Sequence, residues 1–120
     1  MNKLNVNVNL KVSDEDIDDI MVTALEGGIT YWCHQAKVVG EYLGDYASEQ
    51  ISRGGELKLY DSSDGKGYIL TKENFMEGLK KYIEKRPRII YNGKIDVGQI
   101  DAEAADCIIQ YAIFGELMYS

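Results

Sequence analysis

Apolar and polar residues alternate from Leu4 to Val12. Leu4, Val6, Val8, Leu10 and Val12 share one face, and Asn5, Asn7, Asn9 and Lys11 share the other, which predicts a strand with one wetted face. The period then lengthens. Ile17, Ile20, Met21, Ala24 and Leu25 recur at helical spacing behind Ser13, a hydroxyl cap, with Asp14, Glu15 and Asp16 in the first turn and Asp18, Asp19 and Glu26 on the polar side. Gly27-Gly28 reads as the stop, because glycine takes the left-handed conformation that ends helices. Tyr31, Trp32, Cys33, Val38 and Val39 favour a strand near 29–38, followed by an irregular or briefly helical stretch to Ile51. A helix through Val38, Val39, Tyr42, Leu43, Tyr46 and Ala47 is the alternative, and Gly40, Gly44, Gly54 and Gly55 oppose a long one.

The second half is more explicit. Glu56–Tyr60 alternates, Asp61–Gly67 is a turn cluster and Tyr68–Leu70 returns, which predicts a hairpin. Thr71 caps a helix whose stripe is Phe75, Met76, Leu79, Tyr82 and Ile83, and Pro87 bars its continuation. Arg88–Gln99 is a loop or short strand pair around Asn92-Gly93. Asp101 caps a last helix with Ala105, Ile108, Ile109, Ala112 and Ile113 inward; Gly115 ends it, and Glu116–Tyr119 is a final edge strand. Strands lie both side by side and between helices. The expected fold is therefore one α+β domain over residues 1–120, a largely antiparallel sheet packed against about three helices in a single layer.

Charge narrows the function classes. Thirteen basic against twenty acidic residues leave a net charge of −7. A field of that sign opposes direct binding to nucleic acid or to an anionic membrane and suits a basic partner. No apolar run approaches the roughly 20 residues of a membrane span, and the amino-terminal residues do not form an apolar signal core, so a cytoplasmic protein is expected. Cys33 and Cys107 lack CxxC spacing, which points to reduced cysteines.

Candidate chemistry concentrates at Glu26–His34, which holds the only Trp and the only His. Neighbours on a strand point to opposite faces, so Cys33 and His34 cannot pair with each other. A single His, with no HExxH or HxH spacing, builds no usual transition-metal site without several carboxylates, and Asp61, Asp64 and Gly65 lack the later ligands of a calcium loop. No catalytic residue, metal or cofactor is expected. The binding candidates are Tyr31 and Trp32 for stacking, His34 beside them, and Arg53, whose Ser52-Arg53-Gly54-Gly55 setting offers amides and a guanidinium to an anion. The basic run Lys80, Lys81, Lys85, Arg86 and Arg88 sits at a helix end and can neutralise phosphates locally. Asp14, Glu15, Asp16, Asp18 and Asp19 are a capped, solvated face or a phosphate-mimicking protein-interaction surface.

Val22–Cys33, Glu41–Gly55 and Asp101–Glu116, the last ending Gln110-Tyr111-Ala112-Ile113-Phe114-Gly115-Glu116, together resemble a family of small phage and prophage proteins of low-GC Gram-positive bacteria. No activity is attached to that family, so no catalytic residues carry over. The resemblance implies a phage accessory protein in the host cytosol, and such proteins often counter host defence. The leading expectation is a non-enzymatic homo-oligomer that sequesters a nucleotide-like signal. Its rivals are an acidic inhibitor of a host nucleic-acid-binding effector, as anti-CRISPR proteins are, and a small nucleotide-cleaving enzyme with His34 as acid/base.

Overall fold

Ser13 opens the first helix as a reciprocal cap. Its Oγ accepts from Asp16 N at 3.0 Å, and its own N–H donates to Asp16 Oδ2 at 3.1 Å. Helix α1, Asp14–Thr23, buries Ile17, Ile20 and Met21. The computed structural model describes residues 10–120, so the strand expected from Leu4 lies almost wholly outside the described residues.

α1 runs into one π-helical turn, Ala24–Gly28, closed by Ile29 N–H on Ala24 O at 3.0 Å. Neither Gly27 nor Gly28 takes the left-handed conformation expected of a helix stop. Gly28 is there for proximity, since a Cβ would sit 2.7 Å from Ala102 O at the start of the last helix. The chain then makes a further turn, so the strand begins at Cys33 and not near 29.

Strand β1, Cys33–Val39, pairs antiparallel with β2, Glu56–Asp61, which pairs antiparallel with β3, Gly67–Leu70. Cys33 opposes Asp61 and Gln35 opposes Tyr60, so His34 is the extra residue of a bulge. Gly40–Tyr46 is an ordered loop and Ala47–Glu49 a short 3-10 turn, as the irregular reading predicted. β2 buries Leu57, Leu59 and Asp61 in strict alternation.

Helix α2, Lys72–Lys85, carries the Thr71 cap and buries Phe75 and Leu79. Asn92-Gly93 turns a two-residue hairpin between β4, Ile90–Tyr91, and β5, Lys94–Ile95. Helix α3, Ala102–Phe114, packs along α2 at a close approach, where a Cβ on Gly78 would collide with Ile108 O. Among the described residues, three helices with antiparallel sheets of three and two strands make the fold α+β, around one cluster of apolar side chains drawn from every helix and from β1–β3. The expected edge strand at Glu116–Tyr119 does not form; those residues are an irregular tail held by a side chain.

Candidate functional site

Two polar residues sit four apart on α3, the most apolar helix. Asp106 and Gln110 share one face and are both buried. Asp106 Oδ2 accepts from Tyr31 Oη at 2.5 Å, and Oδ1 accepts from Trp32 Nε1 at 2.7 Å and Gln110 Nε2 at 2.9 Å. Tyr31 and Trp32 therefore converge on one carboxylate. The opposite directions expected of an extended chain do not apply, because both residues lie in the turn before β1.

Their exposures differ. Trp32 is 2% exposed, stacked on Tyr119 with centroids 5.8 Å apart and tilted against Phe114, so it is core and not a free platform. Tyr31 is 52% exposed, with its ring outward and its hydroxyl turned in. Burial, then the hydrogen bond and charge of Asp106, push the Tyr31 hydroxyl pKa up to about 12.

Gln110 continues the network into the tail. Its Oε1 accepts from Met118 N at 2.8 Å and Tyr119 N at 2.9 Å, and its Nε2 donates to Tyr119 O at 3.1 Å. Tyr119 in turn donates to Asp61 Oδ2 at 2.5 Å, beside Ser63, whose N–H and hydroxyl both donate to Oδ1 at 2.9 Å. Burial alone would raise the Asp61 carboxyl, but the hydrogen bonds from Tyr119 and Ser63, with the charge of His34, bring it below the ordinary value. The turn that superficially suggested a calcium loop is thus closed on itself, and no cluster able to hold a metal exists among the described residues.

A groove runs along the outer side of this network. One cavity, of about 360 Å³, is lined by Tyr31, Glu103, Asp106, Cys107 and Leu117; a second, of about 220 Å³, by Tyr82, Lys85, Arg86, Glu103, Cys107 and Leu117. Burial, then the nearby Asp106 and Glu103 charges, raise the Cys107 thiol, so it stays protonated and is a poor nucleophile. Cys33 is buried and its thiol is raised by that burial, while His34 is exposed on the bulge with its ring 6.1 Å from Tyr60.

Arg53 lies elsewhere. Its guanidinium is 3.6 Å from Glu49, and it lines neither cavity. Two of the amides expected to cradle an anion are engaged, Gly54 N–H on Ile51 O at 3.0 Å and Gly55 N–H on Gln50 O at 2.8 Å. The four expected ligand residues do not share a pocket. Glu49, braced by Arg53, accepts instead from Asp45 N at 3.0 Å and Tyr46 N at 3.1 Å, while the buried Gln50 accepts from Leu43 N at 3.0 Å and donates to Glu41 O at 3.1 Å. These bonds fix the loop Gly40–Tyr46 with Tyr42 61%, Leu43 47% and Tyr46 69% exposed.

The α1 acids are divided. Asp14 pairs with Lys72 at 3.3 Å, Asp16 is in the cap, and Asp18 accepts from Ser52 Oγ at 2.6 Å, which ties α1 to the segment after the tyrosine loop. Glu15 and Asp19 extend carboxylates with no partner among the described residues. No helix among the described residues is long and apolar enough to cross a membrane.

The tyrosine loop, Asp106 and Gln110 are the features that sequence reading missed. The legible signal for the last two was their i,i+4 spacing in an otherwise apolar helix. No protein family, curated protein or solved structure was found to match the chain.

Proposed function

We propose that the protein is a non-enzymatic binding protein that docks, through the Gly40–Tyr46 loop and the neighbouring acids of α1, on a basic surface of a partner protein. The observation that carries the reading is a loop held by side-chain hydrogen bonds that presents three large side chains to solvent. Its side-chain and backbone hydrogen bonds are made before any partner arrives, so little ordering entropy remains to oppose binding. Tyrosines in such a loop are the rigid, amphipathic anchors that dominate binding surfaces.

Charge selects the occupant. Between Val12 and Ser52 there are nine carboxylates and one basic residue, Lys37; of the nine, Asp14 and Glu49 are paired with Lys72 and Arg53 from outside the segment. A symmetric pairing of two copies through this face would set Glu41, Asp45 and Glu49 against their equivalents, so a basic protein is favoured over a second copy. In the phage setting that the sequence suggests, the occupant is the nucleic-acid groove of a host defence effector. The protein then counters defence by occupying that groove in the host cytosol.

The test is binding to purified bacterial defence nucleases with lysine- and arginine-lined grooves, measured by interferometry with and without competing DNA. We expect competition with DNA, weakening as salt rises, and a loss of tenfold or more in Tyr42→Ala and Tyr46→Ala, about 1.4 kcal/mol or more each. Both positions are exposed, so the fold survives. Binding that ignores both tyrosines, or that coexists with bound DNA, refutes the proposal, as does absence of binding across the panel.

A further inference from the structure

Independently of the docking loop, the groove beside Asp106 has the features of a second binding site. We propose that it takes a nucleoside monophosphate, with the base at the Tyr31–Asp106 end and the phosphate at the Lys85–Arg86 end.

The two cavities share Glu103, Cys107 and Leu117, so they form one groove from Tyr31 to Arg86. Their volumes, about 360 and about 220 Å³, are those of a small-ligand site. At one end the Tyr31 ring is exposed, but its hydroxyl is pinned to Asp106, which holds the ring as a fixed stacking face. Asp106 Oδ1 already accepts two hydrogen bonds and Oδ2 accepts one. A carboxylate has about four acceptor positions, so Oδ2 retains one for a ligand donor. An exocyclic amino group of a base is such a donor, whereas the ring N–H of uracil lies between two carbonyls that the carboxylate repels.

At the other end the chemistry reverses. Lys85 and Arg86 make no ion pair among the described residues. Lys85 Nζ lies 5.6 Å from the Tyr111 ring centroid, and Arg86 Nη1 donates only to Lys85 O, at 3.1 Å. Most of the guanidinium donors are uncommitted, in the planar arrangement that matches phosphate. Asp101 and Glu103 line the same cavity, so two carboxylates offset two cations. That balance admits one phosphate and rejects a triphosphate or a long polyanion, in keeping with the acidic chain. Cys107, neutral because burial raises its thiol, and Leu117 supply an apolar middle.

This site uses Tyr31 as the sequence suggested and replaces Arg53 with Arg86. It is tested by calorimetry at low salt with AMP, GMP, CMP and UMP, together with adenosine, inorganic phosphate and a single-stranded tetranucleotide. We expect an amino-bearing monophosphate to bind at about 100 μM or tighter, and adenosine and phosphate alone to bind at least tenfold more weakly. Arg86→Ala and Tyr31→Ala should each weaken binding tenfold, and Tyr46→Ala should leave it unchanged. Silence from every monophosphate at millimolar concentration, UMP equal to CMP, an oligonucleotide preferred over all mononucleotides, or wild-type affinity in Arg86→Ala overturns the assignment.

Discussion

Gln50 and Gln110 are both sealed from solvent, at 1% and 0% exposure, and each turns its amide on backbone a few residues away. They hold opposite kinds of chain. Gln50 ties Glu41 and Leu43 to the body of the protein while the side chains between and beyond them project outward. Gln110 draws Met118 and Tyr119 inward, so that Tyr119 covers Trp32 and reaches Asp61. The same amide thus makes a display in one place and a cover in the other. The difference is in what lies beside it. Gln50 is flanked by the ring of bonds through Glu49 and Arg53, which is complete without any aromatic side chain. Gln110 is coupled to a buried carboxylate that still needs donors, and Tyr31 and Trp32 are drawn in to supply them.

The sharpest way to break the comparison is to replace each glutamine with leucine. Gln110→Leu removes a donor from Asp106 and frees both ends of the tail clamp, so we expect a loss of about 3 kcal/mol in urea unfolding. Amide exchange at Met118 and Tyr119 should accelerate. Gln50→Leu should cost about 1–2 kcal/mol, with faster exchange confined to Leu43. Equal losses would mean that the carboxylate adds nothing to the Gln110 clamp.

A smaller effect sharpens the cover itself. Tyr119→Phe keeps the stack on Trp32 and removes the hydrogen bond to Asp61, for which we expect about 1 kcal/mol at neutral pH. The Asp61 carboxyl is held below its ordinary 3.8, so the stability its ionisation contributes is present above that value and is lost as pH falls through the folded one. Stability curves of the two proteins should therefore converge in acid, and curves that stay parallel would remove Asp61 from the account.

The smallest effect is alkaline. Tyr31 has a folded pKa of about 12 against an ordinary 10.0, so its contribution is intact below pH 10 and declines as pH rises towards 12. Tyr31→Phe should flatten that decline. An unchanged slope would place the alkaline titration on other tyrosines.

Much of the architecture was legible because it rests on local signals. Ser13, Thr71 and Asp101 cap where hydroxyl or carboxylate precedes a helical period, and Asn92-Gly93 turns where two residues must take positive φ. The functional surfaces were less legible because they depend on distance along the chain. Asp106 meets Trp32 across 74 residues, a relation that no spacing encodes. Arg53 looked like an anion ligand because glycines flank it; their amides turned out to be bonded within their own turn. The tail looked like a strand because of its short apolar stretch, but no strand among the described residues pairs with it, and Gln110 bonds its backbone instead.

The π-turn at Ala24–Gly28 has a consequence for how this molecule tolerates change in length. A helix is a screw, and each residue added or removed rotates the chain beyond it by about 100°. The five-residue turn holds one residue more than an α-helical turn, and it sets the phase at which the chain leaves α1. Two aromatic residues can address opposite oxygens of one carboxylate only because that phase is correct. Removing Gly27, whose Cα faces open space, would leave charge and core unchanged and put both rings out of step with Asp106.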